Sequence, residues 1–323
     1  MKLRQDLIDK KNTTESTADT YIRLLVQLNN KKSFNNISFL KDINRVKEYI
    51  SKYALSTRKN FVSGICSILS MYKDSSTYKK IYADYTVLLN ELRNQQDKER
   101  GDTSEKTEKE KENWVEWEDV EKKRDEILKE INGFVNQKNI TAGQYETLMA
   151  YMLLCLYTYL PPRRNADFQQ MYVVREWNDK MPTDRNYLDL HNQQFIFNVY
   201  KTAKKHGQQK AEIPDDSPLR EAIIFYLKHN AHYRASKNKS TEFRFLTKQD
   251  GTPLTSVNVI TRVLNKLFKK RVGSSMLRHS YLSKKYGKVL EEMKEDSDMM
   301  AHDTNTQKTY IRKDDSESES DGE

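Results

Sequence analysis

Three widely separated segments place reactive polar side chains where a helix core would favour apolar ones. They are Pro161-Pro-Arg-Arg-Asn-Ala-Asp-Phe168, Ser274-Ser-Met-Leu-Arg-His-Ser280 and Ala301-His-Asp-Thr-Asn-Thr-Gln-Lys-Thr-Tyr-Ile-Arg312. Their residue types suit cleavage of a phosphodiester by a side-chain nucleophile. Such a reaction builds negative charge on the non-bridging oxygens, and two guanidiniums, Arg164 and Arg278, can clamp that charge with forked hydrogen bonds. Tyr310 offers a hydroxyl nucleophile whose ordinary pKa of about 10 makes it a poor one until cations position and polarise it. The departing alkoxide needs a proton, which calls for a general acid such as a lysine. A phosphotyrosyl intermediate would preserve the bond energy, so rejoining needs no ATP. The absence of any GxxxxGK[ST] phosphate loop agrees with that.

In this order, the segments resemble the tyrosine recombinase (phage integrase) family. The family's first box has an Arg followed three residues later by an acid and then an apolar residue. Arg164, Asp167 and Phe168 match it, with Arg163 in the preceding slot that is usually apolar. Its second box is His-x-Leu-Arg-His followed by Ser or Thr. Here Leu277, Arg278, His279 and Ser280 match, while Ser275 replaces the first His. The closing box matches His302, Thr306, Thr309 and Tyr310, with an interval from His to Tyr one residue shorter than in many members. The resemblance implies that Tyr310 forms a 3′-phosphotyrosyl link and frees a 5′-hydroxyl, that His302 hydrogen-bonds the phosphate, and that His279 is a packed, hydrogen-bonded residue. Tyr200-Lys201-Thr202 looks like the family's Lys-Thr at the end of a strand, which selects Lys201 as general acid, with Lys204 next. Ser275 retains a hydroxyl for phosphate contact but is no comparable base. The family implies double-stranded DNA as partner, a homotetramer on DNA, and no cofactor or metal.

These residues need elements to hold them. Residues 1–97 read as four short helices, with Tyr21, Leu24, Leu25 and Leu28 after N-cap hydroxyls at Ser16/Thr17, then stripes through Phe39–Ile50, Phe61–Tyr72 and Ile81–Leu92. The resemblance makes this a SAM-like, DNA-clamping bundle. Ser56-Thr-Arg-Lys-Asn60 at a helix start is suited to phosphates. Residues 98–113 contain no apolar residue and read as a charged, flexible or marginally helical linker. Residues 114–312 form the expected catalytic domain around the apolar helix Tyr145–Leu160, which Pro161-Pro162 stops. Tyr187–Leu190, Phe195–Tyr200 and Ala211–Ile213 alternate as strands, giving a small antiparallel β-sheet in a mainly α fold. A helix capped by Thr255 or Ser256 presents Asn258, Arg262, Asn265, Lys266, Lys269 and Lys270, a polar side suited to lying against DNA.

Charge points to the same partner. The 323 residues carry 56 Lys and Arg against 47 Asp and Glu. Six of those acids and none of the bases fall in Asp314–Glu323, so the preceding 313 residues hold a formal +15. A basic body of this size suits a polyanion, and residues 313–323 are expected to act as an acidic counterweight. Cys66 and Cys155 lie in apolar runs as reduced thiols, and no HExxH or CxxC spacing connects the six histidines. The charged first eleven residues do not read as a signal peptide, and the longest apolar stretch is too short to span a bilayer. The expected location is intracellular, in cytoplasm or nucleus with the DNA. Abundant Lys, Asn and Tyr match an AT-rich genome such as that of a virus or mobile element. The leading expectation is a site-specific recombinase or integrase. Two alternatives stand beside it: a type IB topoisomerase-like relaxase using the same chemistry, and a catalytically inactive, integrase-derived DNA-binding protein, which the Ser275 replacement favours.

Overall fold

The computed structural model describes residues 2–100, 105–235 and 242–312. It is mainly helical with a small five-stranded sheet, and it divides into two compact units, Met1–Glu105 and Lys106–Glu323, each with its own apolar core.

The first unit holds α1 (Lys2–Lys11), α2 (Glu15–Leu28), α3 (Ile43–Ser51), α4 (Leu55–Leu69) and α5 (Lys79–Arg100). It has one helix more than the apolar stripes indicate. Within α1, Leu7 is fully buried and Leu3 and Ile8 pack partly beside it, an apolar edge masked in sequence by the surrounding charges. The α2 cap is Thr14, whose Oγ1 accepts from Thr17 N at 3.3 Å, ahead of the expected Ser16/Thr17. Gly64 lets α2 approach α4, since a Cβ there would lie 3.0 Å from the Tyr21 ring. Arg58, expected to face phosphate, instead donates through Nε to the Tyr53 carbonyl at 2.6 Å, and Lys59 donates to Gln96.

The second unit holds α6 (Glu108–Asn113), α7 (Trp117–Asn132), α8 (Ala142–Thr158), α9 (Asn165–Gln169), α10 (Ala203–His206), α11 (Pro218–His229), α12 (Ala231–Ala235), α13 (Val257–Phe268), α14 (Ser274–Met299) and α15 (Thr304–Tyr310). Its strands are β1 (Tyr172–Val174), β2 (Tyr187–Asp189), β3 (Gln194–Phe197), β4 (Gln209–Glu212) and β5 (Phe243–Arg244), in the order β4-β3-β2-β1-β5. Every residue of α8 from Leu148 to Tyr157 is buried, which makes α8 the axis of this core. Each fully buried leucine there contributes about 1.5–3 kcal/mol. Burial pushes the Cys155 thiol up to about 12, so it is held as an inert thiol.

The sheet is mixed, which corrects the antiparallel expectation. β2-β3 and β3-β4 are antiparallel as read, but β1 pairs parallel with β2, Tyr172 opposite Tyr187, and β5 pairs antiparallel with β1. β1 and β5 are only three and two residues long, too short for an alternating pattern. The twelve residues between β1 and β2 suffice for a parallel crossover.

Of the two expectations for residues 98–113, the described ones follow the helical one. α5 continues to Arg100, and α6 opens with a capping box between Thr107 and Glu110. It is moored by polar contacts: Asn113 Oδ1 accepts from Arg271 N at 2.9 Å, and Lys106 Nζ sits 3.8 Å over the Trp114 ring. The stretch Lys106–Asn113, with no apolar residue, is thus docked by a hydrogen bond and a cation–π contact without entering a core. Residues 101–104 and the acidic tail, 313–323, lie outside the described residues. No helix among the described residues is long and apolar enough to cross a membrane.

Candidate active site

α8 ends before Pro161-Pro162, and the chain crosses extended through Arg163 and Arg164 into the short helix α9, with Arg164 at its N-cap position. The buried Asn165 then gathers three elements. Its Oδ1 accepts from Tyr157 Oη of α8 at 2.5 Å, its Nδ2 donates to Thr261 Oγ1 of α13 at 3.0 Å, and its backbone N–H donates to Ser274 Oγ of α14 at 3.2 Å. Arg278 lies one turn into α14, with Nε donating to the Ser274 carbonyl at 3.2 Å. Asn165 therefore fixes the two expected arginines beside one another, although they are 114 positions apart in sequence.

The two arginines feel one another electrostatically. Burial, and then the charge of Arg164, hold the Arg278 guanidinium below its ordinary pKa, while Asp167 and Tyr157 act in the opposite sense. The direct ion pair of Asp167 is with Arg163, its Oδ2 lying 3.0 Å from Arg163 Nε. Burial pushes the Asp167 carboxyl up, and Arg163 and Arg164 pull it down. Among the described residues, no hydrogen bond or ion pair occupies the Arg164 guanidinium. Two partly desolvated like charges side by side repel, and a bound phosphate group would relieve that repulsion.

Lys201 sits exposed in the connection between β3 and β4, and Lys204 follows in α10. That connection is well braced. Tyr200 Oη donates to the Gly207 carbonyl at 2.7 Å, Gln208 Nε2 donates to Asn198 Oδ1 at 2.7 Å, and Gly207 takes a φ of +66°. Arg163 reaches across to it, stacking 3.7 Å from the centre of the Phe197 ring and donating to Gln209 Oε1 at 3.0 Å. The buried Asn186 bonds Asp167 on one side and Asn198 and Val199 on the other. Arg163 was legible as an oddity in an apolar slot; Asn165 and Asn186 carry no sequence signal beyond being asparagines at the edge of apolar runs.

Four expected residues stand elsewhere. His279 is not packed: Leu277 and Ser280 take the buried face of α14, which turns His279 to the flank, half-exposed, with Nδ1 3.3 Å from Glu110 Oε1 of α6. Ser275 is exposed, and its neighbour Ser274 makes the structural contacts instead. His302 and Tyr310 do come together, their rings 5.8 Å apart and inclined at 32°, after a turn in which Ala301 has a φ of +56°. They lie at the far end of α14 from Arg278. At about 1.5 Å per residue, Met299 is roughly 30 Å along the axis from Arg278, and α15 is only about 10 Å long. Tyr310 is 66% exposed, and no contact among the described residues joins it to Arg164 or Arg278.

The polar side of α13 is also partly engaged. Lys266 Nζ is 3.2 Å from Glu146 Oε2, Lys270 Nζ donates to the Trp114 carbonyl at 2.6 Å, and Asn265 Oδ1 accepts from Val272 N at 2.7 Å. Arg262 and Lys266 edge a groove of about 900 Å³ with Met149, Leu254, Val259 and Val263 in its lining.

The chain matches no protein-family model, no curated protein and no solved structure. The functional reading rests on the residues themselves.

Proposed function

We propose that this protein is a tyrosine-recombinase-type enzyme that cleaves and rejoins DNA strands. The observation that carries the reading is the nearness of Arg164 and Arg278, neither of which has a side-chain ion pair among the described residues, with the Lys201 turn braced to the same short helix. Two guanidiniums there suit the non-bridging oxygens of a phosphodiester, whose charge grows as a nucleophile adds. In the proposed step, Tyr310 gives its hydroxyl proton to solvent as Oη forms a bond to phosphorus, the bond from phosphorus to the 5′-oxygen breaks, and that oxygen takes a proton from the Lys201 ammonium. The reverse step, by a 5′-hydroxyl of another strand, rejoins the DNA. Double-stranded DNA is the partner, and the acting form is a homotetramer on DNA. This reading requires Tyr310 to reach an arginine pair from which it is now remote, by movement of the α14–α15 arm or from another copy in the tetramer.

The test is incubation, in EDTA, with a pool of nicked duplexes randomised around the nick, so that cleavage releases a short fragment and traps the covalent product. The expected result is a protein–DNA adduct from the natural chain and none from Tyr310→Phe, with both proteins retaining DNA binding. DNA binding without any adduct would leave a non-catalytic DNA-binding protein, which the remote Tyr310 and the exposed Ser275 favour as the second reading.

A further inference from the structure

Lysine is a poor general acid unless something else aims it, because its ammonium rides on a flexible four-carbon stem. If Lys201 delivers its proton to a leaving oxygen, the aim must come from the backbone of its turn. A buried residue that the chemistry does not use ties that turn to α9. Asn186 is 5% exposed and saturates its side-chain amide with four hydrogen bonds. Nδ2 donates to the Asp167 carbonyl of α9 and to the Val199 carbonyl, both at 2.9 Å. Oδ1 accepts from Asn198 N at 2.9 Å and from Val199 N at 2.7 Å. Asp167 is three residues after Arg164, and Val199 is two residues before Lys201. One side chain thus bridges the helix that presents the phosphate-clamping arginine and the turn that presents the acid. Its backbone carbonyl accepts from Tyr172 N at 2.9 Å, anchoring the bridge in the sheet.

Arg163 makes a second, independent pin between the same two pieces. Its guanidinium bonds Asp167 of α9 and Gln209 of β4 while stacking over Phe197 and, at 5.2 Å, Tyr200. We infer that Asn186, seconded by Arg163, is the positioning residue that holds the Lys201 turn in register with Arg164. This inference rests on the strand-cleavage reading above. Neither side chain touches the reacting atoms; both act through the turn.

The test separates aim from mere folding by changing the leaving group. A 5′-bridging sulfur departs as a thiolate, whose conjugate acid has a pKa of about 8.5 in a cysteine-like thiol, so it needs no proton, whereas the 5′-oxygen does. The probe is a duplex pool randomised on both sides of one scissile phosphate, made in 5′-oxygen and 5′-sulfur forms. Single-turnover adduct formation is measured for the natural chain, Lys201→Ala, Asn186→Ala and Arg163→Met, with thermal melting of each. On the oxygen substrate, Asn186→Ala is expected to lose about 10²-fold, the cost of a misplaced catalytic group, and Lys201→Ala at least that much. On the sulfur substrate, both are expected to regain most of the natural rate. If Asn186→Ala does not fold, Arg163→Met carries the same expectation, with a smaller loss.

Equal loss on both substrates for the folded positioning variants, while sulfur rescues Lys201→Ala, would overturn the inference and leave them as structural residues. Failure of sulfur to rescue Lys201→Ala would overturn it by removing Lys201 from the acid's role. A natural chain that forms no adduct on either substrate would instead overturn the strand-cleavage reading beneath it.

Discussion

Arg278 faces both a neighbouring cation and a partly buried setting, and its only hydrogen bond among the described residues, through Nε to the Ser274 carbonyl, leaves both terminal nitrogens of the guanidinium available for an anion. That geometry makes the planar fork the point of the residue. We predict that Arg278→Lys, which keeps the charge and loses the fork, lowers the rate of adduct formation by about 10²–10³-fold with little change in DNA affinity, as single-turnover assays and filter binding would measure. An equal fall in affinity would mean that the residue binds substrate without favouring the transition state. Arg164 and Arg278 were legible in the sequence because cations break an otherwise apolar pattern, and the residue order carried their pairing. Asn165 and Asn186 were not, because a buried amide owes its value to partners that only the tertiary structure assembles. His279 misled for a related reason: one step of about 100° around α14 separates it from the buried Leu277–Ser280 face.

At the scale of elements, long periodic helices were read well and short pairings poorly. α8 and α13 stand near their expected bounds because ten or more residues of pattern reinforce each other. β1 and β5 are products of pairing with neighbours and have no pattern of their own. α11 contributes a titratable element to the core: His229, at its C-terminal end, is 4% exposed, packed 5.3 Å from the Phe225 ring, and neither ring nitrogen has a hydrogen-bond partner among the described residues. Burial, followed by the charges of Lys228 and Arg234, holds its pKa below the ordinary 6.5. The unfolded chain therefore takes up this proton more readily than the folded one, so the contribution is present above about pH 6.5 and is lost as the pH falls. We predict that the urea midpoint drops less between pH 7.5 and pH 5.5 in His229→Phe than in the natural chain. An identical drop in the two proteins would remove His229 from the pH dependence.

At the scale of the whole molecule, two units with separate cores carry a strongly basic sequence, and the boundary between them, after Glu105, falls within the charged run 98–113. What composition could not show is that α6 would be docked by polar contacts, or that α14 would run as one helix of 26 residues. Beyond its first turns, α14 exposes Leu282, Tyr286, Val289 and Leu290, which share one face at helical spacing and are each 39–50% exposed. The proposed tetramer would cover such a face. Leu282→Lys with Val289→Lys is predicted to leave the melting temperature of the free chain unchanged and to abolish assembly on DNA in sedimentation; undiminished assembly would place the contact elsewhere. The central claim is that Tyr310 becomes the covalent link to DNA, and it is tested most directly by digesting the EDTA-resistant adduct and identifying the cross-linked peptide by mass spectrometry. The account predicts a peptide containing Tyr310 that carries a 3′-phosphoryl nucleotide. A link at any other residue, or an adduct that persists undiminished in Tyr310→Phe, would contradict it.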